Sequence, residues 1–384
     1  MNYELEQELG FSQEEIAACL AKQGLLSLEL EFTKRCNLRC TYCYSSAGDA
    51  LGEELTLHEL LGVIEQAREL GARKIILLGG GEPFLFPQVK EVIRHIHSLG
   101  LSQAVFTNGT LLTRELCRFL YDHRVSVAIK GNSFRPAIQD SLAGVTGAYR
   151  SIARGLRLLM EEGYPAKDRP LCLQSVVCRP NINEIQEMWI WARDRGITPY
   201  FEVLTNQGRA RQNPHLALTP GETHTIFQTL SEIDSRRYGS HWLPRPPIAG
   251  FTCRRHLYSC LVNSQGSVQP CTGVDVSVGN IREKPLGALL RESRVIHDLR
   301  GIYRQIDPKC RTCGFAGECY GCRGNAYQAT GSYLAADPAC WLIQGIGAAA
   351  HCEHSGRLKN PSFAQAAQKG PDARRRATRG ARRT

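Results

Sequence analysis

Three cysteines stand close together in Cys36-Asn37-Leu38-Arg39-Cys40-Thr41-Tyr42-Cys43, at a spacing of C-x3-C-x2-C. Thiolates are the usual protein ligands of iron–sulfur clusters, and spacings this short let three sulfurs converge from one loop at little cost in closure entropy. Three such ligands can hold three irons of a 4Fe–4S cube and leave the fourth iron free of protein, which is where chemistry on a bound molecule would occur. Zinc is the competing assignment, but zinc sites generally pair two short cysteine spacings to reach four ligands, and here a single triplet stands alone. It directly follows Leu26-Ser27-Leu28-Glu29-Leu30-Glu31-Phe32, apolar at every second residue, a period that reads as a strand. The end of a first strand is where open α/β sheets and barrels bind their ligands.

The elements needed to position this loop follow in a regular rhythm. Thr56-Leu57-His58-Glu59 is a capping-box pattern, and Leu60, Leu61, Ile64, Ala67 and Leu70 recur at helical spacing up to a stop at Gly71. Residues 74–78 predict a strand that runs into Gly79-Gly80-Gly81-Glu82-Pro83, and Val89, Val92, Ile93, Ile96 and Leu99 predict the next helix. Further strands are expected at 103–106, 125–129, 171–177 and 199–204, with helices at 113–123, 148–162 and 184–195. Strands alternating with helices imply a parallel sheet, because parallel neighbours need a crossover. Six strands are countable, too few to close an eight-stranded barrel.

The rhythm breaks over 205–252, where Thr219-Pro220-Gly221-Glu222 starts a helix and Leu243-Pro244-Arg245-Pro246-Pro247 is stiff and irregular. After it the composition changes. Cys253, Cys260, Cys271, Cys310, Cys313, Cys319, Cys322 and Cys340 fall within ninety residues, enough thiols for two four-cysteine clusters or a pair of zinc ribbons.

Sixteen cysteines in 384 residues would suit a disulfide-rich secreted chain, but the acidic start MNYELEQELGFSQEE lacks an apolar signal segment and no run of about eighteen apolar residues occurs. The cysteines therefore read as metal ligands in a reducing environment, with the cytoplasm the expected location. The net charge of +10 lies largely in the C-terminal end, where Lys369 and six arginines face one acid, Asp372. A Gly/Ala/Arg-rich end without apolar pattern reads as a disordered, solvated tail, and without a recognisable RNA-binding fold nucleic acid is not an expected partner.

The triplet, with Tyr42 as the aromatic of C-x3-C-x-aromatic-C, resembles the signature of the radical S-adenosylmethionine (SAM) superfamily. The resemblance implies an α/β fold, a partial (β/α)6 barrel. It also implies that SAM binds the open iron through its amino and carboxylate groups and is split by one electron into methionine and a 5′-deoxyadenosyl radical. A flavodoxin- or ferredoxin-type protein would supply the electron. Gly79-Gly80-Gly81-Glu82-Pro83 resembles the family's GGEP motif, so Gly80, Gly81, Glu82 and Pro83 are expected at the SAM amino group, where backbone carbonyls and a carboxylate supply the acceptors an ammonium needs. Thr107-Asn108-Gly109 matches a family turn facing the cofactor, which makes Asn108 a candidate contact. Where relatives have Ser-x-Asp-Gly this chain has Ala128-Ile129-Lys130-Gly131, so polar contacts would come from Lys130, Asn132 or Ser133. Arg209, in Gln207-Gly208-Arg209-Ala210, could approach the adenosine side.

The cysteine-rich half resembles the SPASM domain, a C-terminal extension holding two auxiliary 4Fe–4S clusters. By that pattern Cys253, Cys260, Cys271 and Cys322 would hold the first and Cys310, Cys313, Cys319 and Cys340 the second, making three clusters in all. One departure is visible: Cys319 and Cys322 are separated by two residues where the family usually has three. The resulting division is a helical segment over 1–24, a barrel over 25–215, a bridge over 216–252, the auxiliary-cluster domain over 253–345 and the basic tail over 346–384. The resemblance implies hydrogen-atom abstraction from a substrate carbon, with a ribosomally made peptide as the leading substrate. The alternatives are oxidation or decarboxylation of a small molecule such as a tetrapyrrole, and a non-catalytic cluster- or SAM-binding scaffold, against which the intact triplet and the GGEP-like loop argue. Sulfatase-maturing relatives place an aspartate base after the position of Cys271, and here Thr272 stands there.

Overall fold

Residues 10–245 and 253–346 of the computed structural model are described. The N-terminal nine residues, most of the proline-rich link and the basic tail after Ile346 lie outside them. Helix α1, Gln13–Ala21, opens the described chain with a complete capping box, Ser12 and Glu15 each accepting from the other's backbone N–H. Six strands then alternate with helices: β1 (Ser27–Leu30), β2 (Lys74–Leu77), β3 (Ser102–Thr107), β4 (Val125–Lys130), β5 (Leu171–Val177) and β6 (Thr198–Val203). Each pairs in parallel with the next. The helices are α2 (Leu57–Glu69), α3 (Val89–Ser98), α4 (Arg114–Asp122), α5 (Pro136–Ala143), α6 (Ala148–Glu162) and α7 (Ile185–Arg193). The expected capping box of α2 is formed by Thr56 and Glu59, and Gly71 ends the turn after it at a φ of +100°, a conformation that costs a side-chain-bearing residue energy.

Strand β1 shows how the alternation works in a barrel. All its residues are buried, because its two faces meet two different interiors. Leu28 and Leu30 pack with Leu60, Ile64 and Ile75 in the helix-facing core, each such side chain contributing about 1.5–3 kcal/mol on burial. Glu29 faces the lumen instead. There Arg255 donates to Glu29 of β1 (3.1 Å) and to Tyr200 of β6 (2.9 Å). One side chain thus reaches both ends of the six-strand run, so the sheet is curled into an open barrel.

Two features were not anticipated. Helix α5 has weak periodicity, but Pro136 at its first turn and Gly144 just past its end at φ +67° mark both termini. The cysteine-rich region also contributes strands: β7 (Ser259–Val262) pairs in parallel with β1, and β8 (Val268–Gln269) pairs antiparallel with β7. The sheet therefore runs β6-β5-β4-β3-β2-β1-β7-β8. Helix α8, Pro220–Ile233, lies within the stretch 216–252 and starts at Thr219 with a capping box to Glu222.

Candidate active site

The triplet loop is held by backbone groups on every side. Cys36 N–H donates to Gly48 O (2.8 Å), and Arg39 and Thr41 N–H donate to Ala143 and Leu142 at the end of α5 (3.0 and 2.9 Å). The chain after β6 closes over it. Arg209 N–H donates to Cys43 O (3.0 Å), and its guanidinium donates to Cys40 O (2.8 Å) and Ala47 O (2.8 Å). Gly208, at φ +57°, lies so close that a Cβ would sit 2.3 Å from Tyr44 O. Arg209 is thus committed to the loop's carbonyls and is not among the residues lining the cavity below.

Cys36, Cys40 and Cys43 line a cavity of about 290 Å3 together with Tyr42, Gly80, Gly81, Glu82, Asn108 and Lys130. Burial pushes the Cys36 thiol up and the Cys40 thiol to about 11, so the apolar surroundings disfavour free thiolates. A bound metal reverses that preference, since it deprotonates coordinating thiols. Leu38 N–H already points at Cys36 Sγ (3.5 Å), the kind of bond that tunes a cluster's sulfur ligand. The donor set therefore fits an iron–sulfur cluster.

The glycine loop continues β2 alongside the start of the triplet loop. Gly81 N–H donates to Thr33 O (2.7 Å) and Glu82 N–H to Arg35 O (2.9 Å). A Cβ on Gly81 would lie 2.1 Å from Arg35 O, which explains the glycine at this close approach. Glu82 is 1% exposed and accepts from Thr107 Oγ1 (2.7 Å) and Asn108 N–H (2.8 Å). Burial raises its carboxyl to about 7 despite these donors. Asn108 then donates to Asn37 Oδ1 (2.9 Å), and Asn37 donates to Thr110 Oγ1 (2.7 Å). The glycine loop, the turn after β3 and the triplet loop are thus one hydrogen-bonded unit. Pro83, buried behind it, starts a short helical turn and does not line the cavity.

After β4, Lys130 places its Nζ 5.5 Å from the Tyr42 ring centroid, a cation–π distance, and burial lowers its pKa. Asn132 donates to the Tyr42 hydroxyl (2.6 Å). Ser133 instead donates to Glu184 (2.7 Å). Gln174, Tyr200, Glu202, Arg255, His256 and Arg323 also line the cavity and were not singled out by the sequence. Gln174, Tyr200 and Glu202 lie in predicted strands, so their lumenal position could have been read from parity. The others required knowledge of tertiary contacts.

The cysteines of the second region divide. Cys253, Cys271 and Cys322 line the same cavity as the triplet. The loop after Cys271 meets helix α9 (Arg323–Thr330) at Gly273 and Gly324, where a Cβ on Gly273 would lie 2.7 Å from Gly324 Cα. Val274 N–H points at Cys271 Sγ (3.3 Å) and Asn325 N–H at Cys322 Sγ (3.3 Å). Cys260, expected with these three, is elsewhere. It pairs with Leu28 in the β1–β7 register and packs with Leu28 and Leu30 in the helix-facing core, because side chains one residue apart on a strand face opposite sides. Cys310, Cys313, Cys319 and Cys340 are partly exposed and lie off the cavity. They are electrostatic neighbours, Cys313 acting on Cys310 and Cys319, and Cys319 on Cys340.

Comparison with known proteins finds two domains in this order. Residues 30–188 match the radical SAM superfamily, and residues 253–314 match SPASM, an iron–sulfur cluster-binding domain. The chain is a radical SAM enzyme with a SPASM domain. These two domains imply SAM and iron–sulfur clusters as cofactors. This radical SAM enzyme is 28% identical over 338 residues to the AdoMet-dependent heme synthase of Methanosarcina barkeri, a match covering 81% of this chain and 94% of that one. It is 29% identical over 337 residues to the PqqA peptide cyclase of Rhizobium meliloti, covering 82% and 86%. Its fold resembles that of Streptococcus suis SuiB bound to the precursor peptide SuiA, with a TM-score of 0.65 at 16% identity over 85% of this chain and 79% of that one. No described helix is long and apolar enough to cross a membrane.

Proposed function

We propose that this enzyme binds SAM and three 4Fe–4S clusters and removes a hydrogen atom from a carbon of a ribosomally made peptide. The observation that carries this reading is the shared cavity, which the triplet and three SPASM thiols line together. Cys36, Cys40 and Cys43 would hold the first cluster and leave one iron for SAM. SAM bound there and reduced by a flavodoxin- or ferredoxin-type donor would supply the radical chemistry that removes hydrogen from the substrate.

The chain's own residues orient SAM and keep water out. Carbonyls of Gly80 and Gly81 and the Glu82 carboxylate would receive its ammonium, with Asn108 holding the turn beside them. Lys130 would pair with its carboxylate, and Tyr42 and Arg209 keep the triplet loop in shape. Cys253, Cys271 and Cys322 would hold the first auxiliary cluster without Cys260, and Cys310, Cys313, Cys319 and Cys340 the second. We assign residues 25–215 to the catalytic barrel, 216–252 to the bridge and 253–345 to the auxiliary-cluster domain, working in the cytoplasm.

Similarity to a peptide cyclase and the fold shared with a precursor-peptide-bound enzyme support a peptide substrate. Similarity to a heme synthase along nearly its whole length supports a tetrapyrrole as the second reading. Anaerobically reconstituted enzyme, reduced with dithionite in the presence of SAM, would be offered either a short peptide encoded beside its gene or a carboxylated tetrapyrrole. A mass change in the peptide coupled to 5′-deoxyadenosine release is expected. A change in the tetrapyrrole alone replaces the first reading by the second, and no SAM cleavage under any condition overturns both. Iron content should approach about twelve per chain, three cubes' worth.

A further inference from the structure

Arg323 is 1% exposed, and a guanidinium stays protonated in a protein, so a full positive charge is buried here. Its Nη1 donates to the carbonyls of Tyr333 (3.0 Å) and Ala335 (2.6 Å). Its Nε and Nη2 are shut off from solvent and meet no acceptor among the described residues. Asp337 acts on Arg323 electrostatically but is committed elsewhere. Its Oδ1 accepts from Asn325 Nδ2 (2.9 Å) and Ala339 N–H (2.9 Å), and its Oδ2 from Cys322 N–H (2.8 Å). Two unpaired N–H groups on a buried cation are costly, and the acceptor that best completes a buried charge is an anion.

The surroundings say which anion. Gly321, at φ +63°, sits so close that a Cβ there would lie 3.1 Å from Nη2. Gly321 belongs to the turn Cys319-Tyr320-Gly321-Cys322, where the chain passes from the outer thiol set to the cavity-lining one. Gly321 N–H itself points at Cys319 Sγ (3.3 Å). Arg323 also lines the cavity beside Cys271 and Cys322. The turn packed against this guanidinium thus joins Cys319 of the outer set to Cys322 of the cavity-lining one.

We propose that Arg323 is a cation shared by the two auxiliary thiol sets, its Nε and Nη2 donating to sulfur of the clusters held there and raising their reduction potentials. This rests on the assignment of auxiliary clusters to these cysteines. A cube ligated by thiolates carries net negative charge, and reduction adds to it. A buried donor cation therefore stabilises the reduced form more, and hydrogen bonds to sulfur act in the same direction.

The test uses full-length, anaerobically reconstituted protein. With arginine labelled by heavy nitrogen, pulsed electron paramagnetic resonance of the reduced wild type should show a nitrogen coupling on an auxiliary-cluster signal, lost in Arg323→Lys. In a redox titration, Arg323→Gln should keep wild-type iron content and shift an auxiliary midpoint to lower potential. Full iron with no coupling and unchanged midpoints overturns the role of Arg323 and leaves the cluster assignment standing. A wild-type iron content of about four per chain, one cube, overturns the assignment and the role together. Where Arg323→Gln loses iron through misfolding, the coupling in the labelled wild type decides alone.

Discussion

As we assign them, the triplet loop and the SPASM thiols solve one problem, gathering sulfurs around a cluster, by different means. Cys36, Cys40 and Cys43 lie within eight residues, and their placement is a matter of local backbone, clamped by α5, Gly48 and Arg209. Cys253, Cys271 and Cys322 come from three separate stretches and meet because β7 joins the sheet and two glycines allow backbones to touch. A local set is legible from spacing alone. A dispersed set depends on strand parity and on contacts between segments, which spacing does not encode.

The largest effect that bears on this contrast is expected in the triplet. Replacing any one of Cys36, Cys40 or Cys43 by Ala should reduce 5′-deoxyadenosine formation under dithionite to background while iron in the SPASM region remains, as measured by product chromatography and iron analysis. Retained cleavage in the triple variant would break the distinction at its root.

Next in size is the comparison of Cys260 with Cys271. Cys271→Ala should lower bound iron by about four per chain, one cube. Cys260→Ala should leave iron unchanged and cost only about 1 kcal/mol of stability, as expected for removing a small group from a packed core. Equal iron loss in the two variants would return Cys260 to the ligand set and refute the parity argument.

Much of the fold was visible in the residues. The six parallel strands, the capping boxes at Thr56 and Thr219, and helix α6, predicted at 148–162 and found there, follow from local patterns that tertiary contacts reinforce. The triplet, the glycine loop and the turn at Asn108 were legible because each sits on a loop at a strand end. Helix α5 escaped because it is short and its apolar residues do not form a stripe. Strand β7 escaped because its partner β1 lies far away in sequence, and with it went the parity that decides where Cys260 points. Arg209 was legible as part of the site, but its direction toward the loop's carbonyls was not.

The smallest effect concerns Glu82, which belongs to the local set yet is buried. Its carboxyl is raised to about 7 by burial, above its value in the unfolded chain, so the native state holds the extra proton between the ordinary carboxylate range and about 7. Stability therefore falls as pH rises through that window and is level above it, while ionisation creates the acceptor an ammonium needs. SAM affinity, measured by equilibrium binding, should therefore rise as pH increases through about 7, and the rise should vanish in Glu82→Gln. A pH-independent affinity in the wild type would show that Glu82 serves only to fix Thr107 and Asn108.

The ladder between β1 and β7 has a consequence for how this enzyme can be taken apart. Leu28 and Cys260, Glu29 and Leu261 are paired residue for residue, so a protein ending before β7 would not be a catalytic module freed of an accessory. It would bare the hydrogen-bonding groups along one flank of β1, the strand that leads into the triplet loop. Such an uncovered flank is a template for pairing with other chains. The shortened enzyme would then be lost as aggregate before its chemistry could be assayed.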